Sequence, residues 1–272
     1  MSTEPFTFRR GSTPLLVSIP HSGTFLPPAL EAGMTPAALR LPDTDWHVPR
    51  LYDFLEEMGV SVIQAAYSRY FIDLNRDPAG KSLYPEASTT ELCPTTTFGE
   101  EPIYKAGQSP SDSEIEERCE QVWRPYHDAL ANELSEIRAR HGIALLWDAH
   151  SIRSVVPRFF EGTLADLNVG TGNGISASEG LADLLMAVAR DAEENLGVTH
   201  VLNGRFMGGY ITRYHGRPRT GIHAVQLEIA QKTYMDEGFP FAFREKSASR
   251  IRPVLAGLLQ SMLAWADLEM TG

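Results

Sequence analysis

The sequence predicts a single α/β domain over residues 1–272, built as a mixed, mostly parallel sheet flanked by helices. Three observations carry this. Short apolar runs recur at 14–19, 60–66, 70–74, 143–147, 199–202 and 222–229, and continuous apolar runs suit strands covered on both faces. Longer stretches of helical periodicity lie between several of them, as a largely parallel sheet requires. At 272 residues, with 43% hydrophobic and 22% charged residues, the chain can fill one large core, and no repeat, low-complexity tract or linker divides it.

Taken in order, the first strand is Leu15-Leu16-Val17-Ser18-Ile19, which stops at Pro20-His21-Ser22-Gly23. In Leu41-Pro42-Asp43-Thr44-Asp45-Trp46-His47, Pro42 and Asp43 read as a helix start with Asp43 as its cap. Ser113-Glu114-Ile115-Glu116 has the spacing of a capping box, followed by Ile115, Cys119 and Val122 at helical intervals. Pro125 should kink that helix, which resumes through Leu130, Leu134 and Ile137 and stops at His141-Gly142. A second box, Ser176-Ala177-Ser178-Glu179, opens a helix through Leu181, Leu184, Leu185, Val188 and Ala192, closed by Gly197. A last helix is expected from about 243 to 268, with a break near Pro253. Residues 76–112 and 203–221 are rich in Pro, Thr, Gly, Ser and Arg and read as long functional loops.

Composition narrows the function. A net charge of −11 argues against general nucleic-acid binding. No apolar stretch approaches the roughly 20 residues of a membrane span, and the first residues have no basic-then-apolar secretory pattern. With only Cys93 and Cys119, outside any CxxC pair, neither a disulfide framework nor a thiolate zinc site is expected, and reduced thiols in a cytoplasm are.

The chemistry concentrates at strand ends. His21 follows the 15–19 run and His150 follows Ile143-Ala144-Leu145-Leu146-Trp147, in Trp147-Asp148-Ala149-His150-Ser151. Ligands of open α/β sheets gather at such ends. A lone histidine there is ordinarily a hydrogen-bonded structural residue, but two beside a DxDxH cluster point to a divalent metal. Hydrolytic zinc takes three His or Asp/Glu ligands and keeps one position open, which makes His21 and His150 the first two. Asp45 is preferred as the third over His47. Asp148 shares a strand face with His150, so it is either a ligand or the acceptor that orients a histidine.

Val225-Gln226-Leu227-Glu228-Ile229-Ala230 sets one carboxylate in an apolar strand. Such a Glu is either an edge residue facing water or a partly buried general base. Arginines cluster in Tyr67–Pro78, with Arg69, Asn75 and Arg76, and in Met207–Arg219, with Arg213, Arg217 and Arg219. Solvated surface or pairing with Asp73 and Asp77 would explain them. Bidentate capture of a small di-acid explains them as well.

Together the blocks VSIPHSG, DTDWHVPRLYDF, YSRYFIDLNRDP, LCPTTTF, WDAHSIRS, GGYITRYHGRP and AVQLEIAQKTYMDE, in that order from about 14 to 262, resemble the N-formylglutamate amidohydrolase (deformylase) family. The resemblance implies hydrolysis of N-formyl-L-glutamate to formate and L-glutamate in histidine degradation, on a fold similar to the zinc carboxypeptidases. It further implies zinc, or another divalent metal, on His21, an acidic residue of the DTDWH segment and His150, with Glu228 as the late-strand glutamate. Asn75 and Arg76 look like the pair that clamps a substrate carboxylate. Thr24 departs from carboxypeptidases, which carry Glu three residues after the first ligand histidine, so the acidic ligand has to come from elsewhere. The expected roles are then Glu228 as base and Arg69 at the oxyanion. Asn75 and Arg76 hold one carboxylate and Arg213 the other, with Tyr210 lining the pocket and Gly208–Arg219 covering it. The partner is a small dicarboxylate. The rival readings are an N-acyl amino-acid amidohydrolase of other specificity and a non-catalytic anion-binding protein.

Overall fold

In the computed structural model, which describes residues 3–80 and 89–271, a seven-stranded sheet has the order β1-β3-β2-β4-β7-β5-β6. Its centre is parallel: β2 (Leu15–Ile19) lies between β3 (Ser61–Ala65) and β4 (Ala144–Ile152), and β4 pairs with β7 (Ile222–Ala230). β1 (Phe6–Arg9) runs antiparallel to β3 at one edge. At the other, β5 (Leu167–Gly170) runs antiparallel to β7 and parallel to β6 (His200–Leu202). The mixed, mostly parallel sheet is as expected.

Two apolar layers cover the sheet. Leu15, Val17, Leu145, Trp147, Val225 and Leu227 face Leu181 and Leu185 of α5 (Glu179–Leu196) and Leu255 and Leu258 of α7 (Glu245–Thr271). Leu16, Leu146 and Ala224 face Leu130, Leu134 and Ile137 of α4 (Arg124–His141). On this second face the strands change character along their length. The register aligns Leu16, Leu146 and Ala224, then Ser18, Asp148 and Gln226, then His150 and Glu228. Period-2 geometry thus carries an apolar row into two polar rows at the C-terminal strand ends.

Several expected elements shift. The 70–74 run is no strand but part of a buried turn-rich loop; a short apolar run signals burial, not extension. β1 and β5, four residues each, fall in segments not expected as strands. No helix starts at Asp43, which ties loops together by accepting from Tyr70 Oη at 2.6 Å and Phe98 N at 2.8 Å. α1 spans Pro28–Gly33, and α2 (Val48–Leu51) begins after His47, whose φ is 63°. The capping box of α3 (Asp112–Arg118) is Ser111 with Glu114, not Ser113 with Glu116. Ser178 caps α5, whereas Ser176 Oγ donates to Ala224 O at 2.8 Å. A π-helical turn at Cys119–Trp123 runs directly into α4 just before Pro125, so the departure from α-helical geometry falls beside the proline. α7 continues through Pro253. Of the expected 76–112 loop, residues 81–88 lie outside the described residues. Among the described residues no helix is long and apolar enough to cross a membrane.

Candidate metal centre

His21, Asp45 and His150 come together, each offering one donor atom, all within 4.8 Å of one another. β2 delivers His21 two residues past its end, β4 delivers His150, and the loop before α2 brings Asp45, whose backbone N–H donates to His21 O at 3.0 Å. All three are buried. Asp45 Oδ2 lies 3.8 Å from His21 Nδ1 and 3.2 Å from His150 Nδ1, and accepts from Ser151 N at 3.1 Å. Asp45 Oδ1 is buried with no hydrogen-bond partner among the described residues.

Both imidazoles are gripped from behind. His21 Nε2–H donates to Asp73 Oδ1 at 2.7 Å, and His150 Nε2 meets Asp148 Oδ2 at 3.0 Å. A proton held at His21 Nε2 leaves its Nδ1 lone pair for the centre, whereas His150 Nε2 faces both Asp148 Oδ2 and, at 3.1 Å, Asn75 Nδ2; carboxylate–histidine contacts of this kind are common behind bound metals. Asp148 therefore orients His150, and is fixed in turn by Ser18 Oγ at 3.1 Å and Thr212 Oγ1 at 3.3 Å. His47 points elsewhere, its Nε2–H donating to Phe241 O at 2.7 Å. Two histidines and a carboxylate whose Oδ2 faces both rings, with Oδ1 lacking a hydrogen-bond partner among the described residues, form a donor set that suits a divalent metal such as zinc.

Charge is balanced tightly here. Burial raises the Asp73 carboxyl, but His21 and Arg69 outweigh it and hold Asp73 well below the ordinary carboxylate range. Burial, aided by Arg69, lowers His21. His150 is driven down by burial, yet Asp148, Asp45 and Glu228 outweigh that and push it well above 6.5. Glu228 rises to about 8, chiefly through burial, with Asp45 and Asp148 adding repulsion against the opposing pull of His150. It is no edge residue exposed to water; β7 lies between β4 and β5, and Glu228 is buried on the wall of the cavity.

That cavity, of about 330 Å³, opens directly beside the cluster and is lined by His21, His150, Glu228, Gln226, Arg69, Asn75, Arg76 and Arg205, with Phe98, Phe159 and Phe206 as apolar wall. Arg69 Nη2 donates to Asp73 Oδ2 at 2.7 Å and Nη1 to Asp43 O at 3.3 Å, with Nη1 3.8 Å from Asp45 Oδ1. Asn75 Nδ2 lies 3.1 Å from His150 Nε2. Arg76 donates through Nε to Thr90 O and through Nη2 to Thr90 Oγ1, both at 2.9 Å.

Two expected substrate contacts lie away from the described cavity lining. Tyr210 and Arg213 are not among the residues lining the cavity. Both lie on α6 (Tyr210–His215), which packs Tyr210 against Trp123, at 5.5 Å between ring centroids, and Tyr214, at 5.0 Å. Arg213 Nε donates to Gly208 O at 2.8 Å. Of the expected covering loop, Gly208–Arg219, only Gly209 reaches the cavity wall; Arg205 and Phe206 reach it from just upstream. Sequence reasoning passed over Arg205, Gln226 and the orienting role of Asp73. For Gln226 a signal existed: it is polar and on the strand face of Glu228.

The sequence model of the N-formylglutamate amidohydrolase family matches residues 13–235. An N-formylglutamate deformylase of Pseudomonas aeruginosa is 53% identical over 262 residues, covering 96% of this chain and 97% of that protein. One from Pseudomonas putida is 52% identical over 259 residues, 95% of this chain and 96% of its own. The crystal structure of an N-formylglutamate amidohydrolase from Ralstonia eutropha JMP134 superposes with a TM-score of 0.81 at 27% identity, over 98% of this chain and 100% of that one. A gene product of Agrobacterium tumefaciens shares the fold, with a TM-score of 0.72 at 17% identity over 99% and 97% of the two chains. With the family model spanning most of its length and two relatives identical at more than half of aligned positions, this chain belongs to the N-formylglutamate amidohydrolase family.

Proposed function

We propose that this protein hydrolyses N-formyl-L-glutamate to formate and L-glutamate with the help of a divalent metal, zinc by preference, and that the reaction serves histidine degradation. The observation that carries the metal-assisted chemistry is the convergence of two Nδ1 atoms and Asp45 Oδ2 beside a cavity whose wall holds one buried glutamate. His21, Asp45 and His150 would hold the metal. When bound, such an ion lowers the pKa of a water to about 7 and polarises a carbonyl.

The chain's own groups divide the remaining work. Glu228 takes the proton of the attacking water on a carboxylate oxygen, and returns it to the glutamate nitrogen as the C–N bond breaks. Burial raises its pKa in the metal-free site, and a bound cation would favour the ionised form that accepts a proton. Arg69 lines the cavity and adds positive charge where the oxyanion develops. Asp73 and the Asp43 carbonyl fix its guanidinium, so it need not reorganise as charge builds.

Substrate selection follows from the arginines. Arg76 with Asn75 holds one glutamate carboxylate, and Arg205, on the wall where Arg213 was expected, holds the other. Phe159 and Phe206 flank the Arg205 guanidinium, 5.8 and 5.5 Å from the ring centroids. These rings restrict its motion and reduce the entropy lost on binding.

The test is release of formate from N-formyl-L-glutamate by protein stripped of metal and then reloaded, alongside N-acetyl-L-glutamate as substrate. Activity that falls on stripping, returns on loading and strongly favours the formyl compound supports the reading. Preference for acetyl transfers the site to another acyl specificity, and full activity in stripped protein removes the metal.

A further inference from the structure

Gln226 stands on β7 two residues before Glu228 and on the same strand face. Its carboxamide is oriented without ambiguity. Oε1 accepts from Gly209 N–H at 2.6 Å, and a backbone N–H can only donate, so the amide nitrogen must lie on the other side. There Nε2 donates to Glu228 Oε2 at 3.4 Å.

Gly209 can come this close because it has no side chain: a Cβ would stand 2.2 Å from Asn75 Nδ2. Asn75 is held in the same manner, Oδ1 accepting from Ile211 N–H at 2.8 Å while Nδ2 lies on the His150 side. The start of α6 thus fixes two buried carboxamides from behind, each with its NH2 end toward the reacting centre.

We propose that Gln226 is a positioning residue for Glu228: its N–H engages Oε2, selects one carboxylate rotamer and leaves Oε1 free for the proton of the attacking water. The proposal rests on Glu228 being the general base. A carboxylate that must both take and return a proton gains from a fixed orientation, because misplacement by a fraction of an ångström weakens both transfers. A tie between α6 and the sheet would need only the acceptor half of Gln226. The donor half is buried as well and is spent on Glu228.

Gln226→Glu separates the two halves. It keeps an oxygen for Gly209 N–H and replaces the donor facing Glu228 with a second acceptor. In metal-loaded protein, kcat for formate release should fall about tenfold or more with KM changed less than about threefold, the range expected when a hydrogen bond to a charged group is lost. Metal content should stay near that of the unaltered chain, while Tm falls because a second carboxylate is buried beside Glu228. In an E228Q background the same change should cost nothing further. An unchanged kcat, a rise in KM alone, or equal fractional losses in both backgrounds would overturn the proposal. Should Q226E fail to fold or load metal, Gln226→Met removes the donor without adding charge and is held to the same criteria. The two readings fail separately. Near-normal turnover by E228Q overturns the base assignment and this inference with it; an inactive E228Q beside a fully active Q226E overturns this inference alone.

Discussion

His21 and His150 turn the same ring nitrogen, Nδ1, toward one oxygen of Asp45, at 3.8 and 3.2 Å, while Asp73 and Asp148 hold the opposite nitrogens. The match matters because a metal needs both imidazoles in the Nδ1-unprotonated tautomer at once. Asp148→Asn should therefore weaken zinc binding by about 10–100-fold while leaving the ligands in place. Competition against a chromophoric chelator measures this. Affinity within about twofold of the unaltered chain would deny Asp148 an orienting role.

Metal binding should also release protons. The carboxylates around His150 outweigh its burial and keep it protonated well above the usual range, and burial keeps Glu228 protonated to about pH 8. A ligand imidazole has to be neutral, and a nearby cation favours ionised Glu228, so binding expels protons and apparent affinity must rise with pH. Calorimetry at pH 7 in two buffers of different ionisation enthalpy should show net proton release. A buffer-independent heat would contradict it.

The pair formed by Asp73 and Arg69 should prove structural as well as orienting. Both are buried, 2.7 Å apart, and Asp73 also receives His21. Asp73→Asn leaves the guanidinium partly uncompensated, a change that typically costs ~3–5 kcal/mol. The pH dependence has a definite sign. The folded pKa of Asp73 is depressed, so its contribution is fully present above the unfolded value of about 3.9 and fades as pH falls through the lower folded value. The stability gap between the two proteins, read from urea unfolding, should be full at neutral pH and narrow in acid. A neutral-pH gap below about 1 kcal/mol would contradict this.

His21, His150 and Glu228 were legible in the sequence because each interrupts or follows a run of buried apolar residues, where a polar side chain has no ordinary reason to be. Asp45 was legible as one of a few nearby candidates; its selection needed the third dimension, since it depends on which loop atom meets Nδ1. Asp73 was hidden within a run read as a strand, because burial and extension leave the same apolar signature over five residues. Arg213 and Tyr210 lie off the described cavity lining for a different reason. They sit on a six-residue helix whose rotation is set by packing of Tyr210 on Trp123, a contact 87 positions apart in sequence. The helices fared better, since caps and glycine stops are local: Gly142 and Gly197 close α4 and α5 in the left-handed region.

Substrate anchoring separates the arginines. Arg76→Lys retains charge but loses the fork, and should lower kcat/KM for N-formyl-L-glutamate by ~1–3 kcal/mol. Arg205→Ala should lower it for that di-acid but leave N-formylnorleucine, which has one carboxylate, nearly unchanged. Arg213→Ala should leave both within about twofold, as expected for a side chain off the cavity wall. Equal losses on both substrates would take Arg205 out of side-chain recognition.

The most direct measurement is single-turnover formate release from N-formyl-L-glutamate by metal-loaded Glu228→Gln protein, with metal content determined on the same sample. The substitution preserves shape and leaves His21, Asp45 and His150 untouched. One metal per chain, near-normal substrate binding and a turnover reduced by about 100-fold or more is the expected result, the scale at which a positioned general base contributes. Turnover within a fewfold of the unaltered chain, at full metal occupancy, would contradict Glu228 as the base.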